Sequence, residues 1–151
     1  MDIRQLAIGE APPMELLLEA DPSESMVRSY LSEGVCYLAE LDGSLIGVYV
    51  LVPLSQSAAE IKNIAVVPSV RGQGLGKELV LHALAEAKRS GYGTVEIGTG
   101  NSSLNQLALY QKCGFRLHSI DRDFFTRHYL EPIIENGIVC RDMIRLIYHV
   151  D

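Results

Sequence analysis

Two spacings of apolar residues alternate along this chain of 151 residues. Strand-like runs fall at residues 3–6, 35–41, 45–53, 60–67, 94–97, 116–120 and 138–150. The second and third flank Asp42-Gly43, a turn signal that predicts a β-hairpin. Helical spacing predicts four helices between the strands. The first spans residues 12–20 and carries Leu16, Leu17 and Leu18. Asp21 is placed to cap the second, with Pro22 at its first position and Glu24 three residues on, and that helix runs to about residue 33. The third has the stripe Leu75, Leu79, Ala83, Leu84 and Ala87. Lys88 and Arg89 sit in its last turn and Gly91 lies just past its end. In the fourth, Ser103 and Gln106 form an S-x-x-Q capping box, Leu104, Leu107, Ala108 and Leu109 supply apolar surface, and Gly114 is the stop. Residues 55–59 read as a small-residue loop. The order β-α-α-β-β-β-α-β-α-β-β predicts one mixed α+β domain over residues 1–151, built around a central sheet.

The junction between strand 60–67 and the third helix reads V-V-P-S-V-R-G-Q-G-L-G-K, from Val66 to Lys77. Pro68 has no N–H for a ladder, so the strand stops there. Gly72, Gly74 and Gly76 permit positive φ and close backbone approach to a ligand. The loop opens directly into the helix, whose unpaired N–H groups and dipole face the segment before Gly74. This is a cradle for an anion, and a phosphate suits it. A Walker loop is excluded, because Glu78 stands where Ser or Thr is required and the first glycine is misplaced. The spacing G-x-G-x-G also differs from the dinucleotide pattern G-x-G-x-x-G.

Composition narrows the possibilities further. The formal charge is −6, which argues against general nucleic-acid binding and is compatible with a cationic partner such as an amine. No apolar run reaches the length of a membrane span, and the N-terminus lacks the features of a secretory signal. Cys36, Cys113 and Cys140 match neither a zinc pattern nor a disulfide framework, so no metal is expected and a cytoplasmic setting is the simplest one.

The sequence R-x-x-G-x-G from Arg71 to Gly76, following a strand that ends Val-x-Pro, resembles the acyl-CoA signature of the GCN5-related N-acetyltransferases. Downstream, L-Y-Q-K-C-G-F at 109–115 is similar to the L-Y-x-x-x-G-F that ends the same family's cofactor site. The resemblance covers about residues 35–120, and the tail looks similar to that of a group of uncharacterised bacterial members. It implies a mostly antiparallel mixed sheet flanked by helices, with acetyl-CoA as acetyl donor. It implies that backbone at Ile64, Ala65 and Val66 binds the pantetheine arm, and that Arg71, Gly72, Gln73, Gly74, Leu75, Gly76 and Lys77 surround the pyrophosphate. It also implies a splayed strand pair beside the cofactor, which the residues alone do not reveal. In one respect the chain departs from the family. An Asn usually stands seven residues before the Tyr, where Ser103 stands here. Asn101 and Asn105 lie on either side of it, and Asn101, in the loop before the helix, is the expected cofactor contact.

Acetyl transfer to an amine also requires proton handling. An alkyl ammonium is neutral only in a few parts in ten thousand at pH 7, a penalty of about 4–5 kcal/mol. Two carboxylates fall where family members carry a base, Glu60 on the strand before the signature and Glu96 on its neighbour. Glu60 and Lys62 share a strand face, so an ion pair is the alternative reading for Glu60. The match to the family Tyr makes Tyr110 the expected proton donor to the departing CoA sulfur. The resemblance thus implies an N-acetyltransferase acting by direct attack of a primary amine, on a small molecule or a protein N-terminus. The alternative is an acyl-CoA-binding module without turnover.

Residues 121–145 lie outside the signature. They interleave Asp121, Asp123, Glu131, Glu135 and Asp142 with bases and with Phe124, Phe125 and Tyr129. A ring for the body of an amine and an anion for its charge would suit an acceptor site. The other reading is an excursion that covers the core or a homodimer partner.

Overall fold

The computed structural model describes residues 1–151. In chain order the elements are β1 (Asp2–Gln5), α1 (Met14–Ala20), α2 (Glu24–Glu33), β2 (Val35–Leu41), β3 (Ser44–Pro53), β4 (Ala58–Val66), α3 (Leu75–Arg89), β5 (Thr94–Gly100), α4 (Leu104–Lys112), β6 (Arg116–Asp121), α5 (Phe124–His128), β7 (Ile134–Glu135), β8 (Ile138–Val139) and β9 (Met143–His149). A single-turn 3-10 helix, Pro68–Val70, links β4 to the glycine loop. Seven strands form one sheet in the order β1-β2-β3-β4-β5-β9-β6. Every neighbouring pair is antiparallel except β4 with β5. The architecture is therefore the expected mixed α+β one, a mostly antiparallel sheet flanked by helices.

The continuous apolar run of β3 has a simple cause: both faces of the sheet are covered there. Tyr49 and Leu51 join Leu79, Val80, Ala83 and Ala87 of α3 on one face. Val48, Val50 and Val52 meet Leu16 and Leu17 of α1 and Val27 of α2 on the other. The β3–β4 register slips by one residue between Val50/Leu51, since Val50 faces Asn63 and Leu51 faces Ile61. Lys62 is the extra residue, and this bulge re-aims the second half of β4.

Helix ends explain two of the sequence motifs. Behind α3, Gly91 N–H donates to Lys88 O and Tyr92 N–H to Ala87 O, with Gly91 at φ 89. Behind α4, Gly114 N–H donates to Gln111 O and Phe115 N–H to Tyr110 O, with Gly114 at φ 102. Both are Schellman caps. The run L-Y-x-x-x-G-F is thus a helix stop: Gly114 takes the left-handed position, and the Phe115 ring sits 6.2 Å from Tyr110, centroid to centroid.

Two expectations need correction. Ser23, not Asp21, caps α2, its hydroxyl accepting from Met26 N–H at 3.3 Å. Asp21 instead accepts from Ser23 N–H and from two tyrosine hydroxyls, Tyr30 and Tyr129. The strand expected over 138–150 is broken between β8 and β9, because Asn101 Oδ1 accepts from the N–H groups of Arg141 and Asp142. The stretch before it folds locally. It holds α5 and a β7–β8 hairpin turning on Asn136 (φ 55) and Gly137 (φ 72), a two-residue turn with positive φ at both positions.

Candidate active site

The pairing of β4 with β5 runs only from Ala58↔Thr94 to Ile61↔Ile97, although β4 continues to Val66 and β5 to Gly100. Beyond Ile61 the two strands splay, and the β4 edge facing β5 has no strand partner. A backbone edge inside a protein calls for other hydrogen-bond partners. The cleft that opens there has two parts. One, of about 540 Å³, is lined by Ile64, Ala65, Val66, Arg71, Gly72, Gly74, Leu75, Gly76, Lys77, Asn105 and Tyr110 among others. The second, of about 420 Å³, is lined by Ile61, Lys62, Asn63, Ile97, Gly98, Phe125, Tyr129, Ile133 and Met143 among others. Glu19, Ala20, Ile64, Gln106, Tyr110 and Glu135 border both parts, so the two meet beside Tyr110.

The glycine loop is shaped as a cradle. Gly72 and Gly74 adopt φ 82 and φ 80, and a Cβ on either would project into open space. Gly74 caps α3 in the left-handed conformation, so the helix begins at Leu75 with its first N–H groups free. Gly76 has a different reason: its φ is ordinary, and a Cβ there would come to 3.4 Å from Leu109 Cδ2 on α4. Arg71 braces the loop, donating from Nε to Val66 O at 3.0 Å, with Nη2 3.8 Å from Glu19. Gln73 does not line the cleft.

Tyr110 is buried at the junction, and its hydroxyl is not committed to a partner in the chain. Burial pushes its phenol well above its ordinary pKa, with a smaller push from Cys113, so it carries a proton at neutral pH.

The structure does not bring the other predicted groups to this point. Glu60 and Glu96 face each other across the zipped part of β4 and β5, before the splay, and neither lines the cleft. Glu60 is buried between two cations, with Lys62 Nζ at 3.3 Å and Arg145 Nη1 at 3.7 Å. The ion-pair alternative for Glu60 is what the structure contains. Asn101 is also elsewhere: its Nδ2 donates to Val139 O, and its Oδ1 holds the β8–β9 break. Asn105 lines the cradle instead.

The carboxylates that do reach the cleft are Glu19, Asp21 and Glu135, none of which the sequence motifs singled out as catalytic. Glu135 is the Glu of the E-N-G-I turn. The Asn-Gly pair between Ile134 and Ile138 is the signal that could have placed it on a hairpin. Ser103, the departure from the family pattern, leaves α4 uncapped by its side chain and donates to Glu135 Oε1 at 2.8 Å. No group of three His, Cys, Asp or Glu side chains is placed to hold a metal ion.

A left-handed glycine cradle at a helix N-terminus, a splayed parallel strand pair and a buried tyrosine at their meeting point define an acyl-CoA site. Residues 3–115 match the Acetyltransferase (GNAT) family, and the chain belongs to it. It is 58% identical to the uncharacterized N-acetyltransferase YvbK of Bacillus subtilis over 132 residues, which are 87% of this chain and 85% of that protein. A GNAT family acetyltransferase from Elizabethkingia anophelis, solved with acetyl-CoA bound, superposes with a TM-score of 0.97 at 46% identity, covering 98% of this chain and 97% of the other. An IAA acetyltransferase from Bacillus cereus superposes with a TM-score of 0.94 at 53% identity, covering 98% of each chain. The chain is an acetyltransferase of this family, with acetyl-CoA as its donor, and none of its helices is long and apolar enough to cross a membrane.

Proposed function

We propose that this chain moves the acetyl group of acetyl-CoA onto a primary amine by direct attack of the amine nitrogen on the thioester carbon. The observation that carries the reading is the meeting of two cavities at Tyr110, a cationic glycine-lined one and an aromatic, acid-bordered one. Acetyl-CoA supplies an activated acetyl group. The unpaired backbone of β4 at Ile64, Ala65 and Val66 holds its pantetheine arm. The α3 N-terminus, from Gly72 to Lys77, holds the pyrophosphate, with Lys77 adding a positive charge. Asn105, in the first turn of α4, takes the amide role first assigned to Asn101.

Tyr110 donates its proton to the sulfur. A CoA thiol titrates at about 8.5 and a free phenol at about 10, so a protonated phenol helps a thiolate to leave. The N–C bond forms as the C–S bond breaks, sulfur takes the phenol proton, and the proton shed by nitrogen restores the phenol. The three free cysteines, all buried, suit a reducing compartment such as a bacterial cytosol.

A thermal-shift series followed by an amine screen, read as release of the CoA thiol, tests the reading. Acetyl-CoA raises the melting temperature. The screen includes IAA, after the Bacillus cereus relative. Thiol release with IAA and with no amine would overturn the amine assignment. Tyr110→Phe lowers turnover by about 10²-fold while acetyl-CoA affinity holds, within the usual range for a positioned acid. Unchanged turnover removes Tyr110 from the chemistry.

A further inference from the structure

The geometry points to Glu135, carried by the tail hairpin, as the carboxylate that receives the acceptor's ammonium group and takes its proton, and to a monoamine with an apolar, ring-sized body as the acceptor class. This inference rests on the amine-acetyltransferase reading. Four other carboxylates compete for the role. Glu60 is held by Lys62 and Arg145, and with Glu96 it lies on the zipped strands outside the cleft. Glu19 faces Arg71 at the mouth of the cradle. Both oxygens of Asp21 are occupied: Oδ1 by Tyr129 hydroxyl at 2.7 Å and Ser23 N–H at 3.1 Å, and Oδ2 by Tyr30 hydroxyl at 3.1 Å. Glu135 has Oε1 fixed by Ser103, while Oε2 has no partner in the chain, and it borders both halves of the cleft where Tyr110 does.

Its position is built rather than incidental. The two-residue turn of Asn136 and Gly137 sets the hairpin, and Asn136 Nδ2 donates to Ser102 O at 2.8 Å. Two adjacent serines before α4 thus clamp two adjacent hairpin residues. Ser103 occupies the position where the family usually has an Asn, and here it serves the carboxylate instead. The acceptor cavity sets an apolar wall of Phe125, Tyr129, Ile133 and Met143 beside polar groups that include Asp21, Asn63, Thr99 and Gln106. Its one lysine, Lys62, is tied to Glu60. Of the carboxylates in this cavity Asp21 is taken up by hydroxyls and Glu19 faces Arg71, so one uncommitted anion beside one apolar wall matches one cation on an apolar body, and a polyamine's further charges would find no free partner.

In the step proposed, the ammonium gives one proton to Glu135, which returns it to water. The freed nitrogen lone pair forms the N–C bond as C–S breaks, and Tyr110 serves sulfur as above. One proton is released overall for each acetyl group transferred.

The test compares wild type, Glu135→Gln, Ser103→Ala and Ser103→Thr, with 2-phenylethylamine, tyramine, spermidine and a short peptide N-terminus as acceptors between pH 7 and 9.5. Glu135→Gln is expected to lower kcat/KM for 2-phenylethylamine about 10²–10³-fold at pH 7. The deficit narrows toward high pH, where the amine is already neutral; a merely structural loss would be the same at every pH. Ser103→Ala falls between the two, and Ser103→Thr, which keeps the donor, restores the rate. The acetyl-CoA melting shift stays intact in all three variants, reporting that they fold. A Glu135→Gln rate equal to wild type, or a deficit flat with pH, overturns the role of Glu135. Turnover of spermidine or the peptide with none of the arylalkylamines overturns the acceptor class while the amine reading stands. Turnover of no amine at all fails the amine reading itself.

Discussion

The two halves of the cleft are made from different materials. The donor half is backbone: an unpaired strand edge, two left-handed glycines and the N-terminus of α3, all within residues 64–77. The acceptor half is side chains gathered from the α1–α2 junction, β4, β5, the loop before α4, α5 and the tail hairpin. Donor recognition is a repeated problem with one ligand, and a local stretch of chain solves it. Acceptor recognition is assembled across the whole fold, so it can change without disturbing the cradle. If so, damage to each half should be separable.

The largest effect tests the donor half. Gly74→Val places a β-branched residue at φ 80 on a position that lines the cradle. The strain alone costs about 1–2 kcal/mol, and with the lost backbone approach acetyl-CoA affinity should fall by about two orders of magnitude. Isothermal titration with acetyl-CoA measures this. Gly76→Ala should do much less, since that glycine only eases the approach of α3 to Leu109. Equal losses at 74 and 76 would mean that the loop matters as packing and not as an anion cradle.

The acceptor half is tested next, with a smaller effect. Gly137→Val forces a β-branched residue to φ 72 in the turn that presents Glu135. The hairpin loosens by about the same 1–2 kcal/mol, and kcat/KM for the amine should fall roughly tenfold. The acetyl-CoA dissociation constant should change little, because the hairpin lies outside the strand edge and glycine loop of residues 64–77. A parallel loss of acetyl-CoA affinity would show that the two halves are coupled and would dissolve the distinction.

The same contrast governs what the sequence made legible. The cradle and the Tyr110–Gly114–Phe115 stop were readable because each is a local demand: positive φ at Gly74 and Gly114, a strand end at Pro68, a stripe on α3. Sheet order and the splay of β4 from β5 were readable only through the resemblance and not from the residues themselves, since both depend on how distant strands are held. Glu60 and Glu96 looked suitable because they lie on the right strands. Their position before the splay, and the burial of Glu60 between Lys62 and Arg145, are properties of the folded sheet alone. Asn101 was chosen over Asn105 for lying in a loop, and that loop proved to be the anchor of the β8–β9 break. Glu135 was missed although Asn136-Gly137 beside it is a strong turn signal. What makes it a site residue is its clamp by Ser103, 32 residues earlier in the chain.

The smallest effect separates pH dependence in the fold from pH dependence in the cleft. His82 sits on α3 against the sheet, its Nδ1 2.8 Å from Tyr49 hydroxyl and its ring edge-on to the stacked pair Tyr37 and Tyr49. Burial lowers its pKa below the ordinary 6.5. Nearby Glu86, 3.9 Å away, opposes that shift and Arg89 reinforces it. Below about 6.5 the unfolded chain therefore binds a proton that the folded chain resists. The stability that neutral His82 supports is fully present above that value and is lost as pH falls through 6.5 toward the lower folded value. The melting temperature should decline from pH 8 to pH 5, and His82→Gln should flatten the part of the decline that lies below pH 6.5. The pH–rate profile for 2-phenylethylamine should be unchanged in the same variant, because His82 lines neither cavity. A shifted rate profile in His82→Gln would place a titrating group of the fold inside the chemistry. It would also take from Glu135 its claim to be the group whose removal alone reshapes that profile.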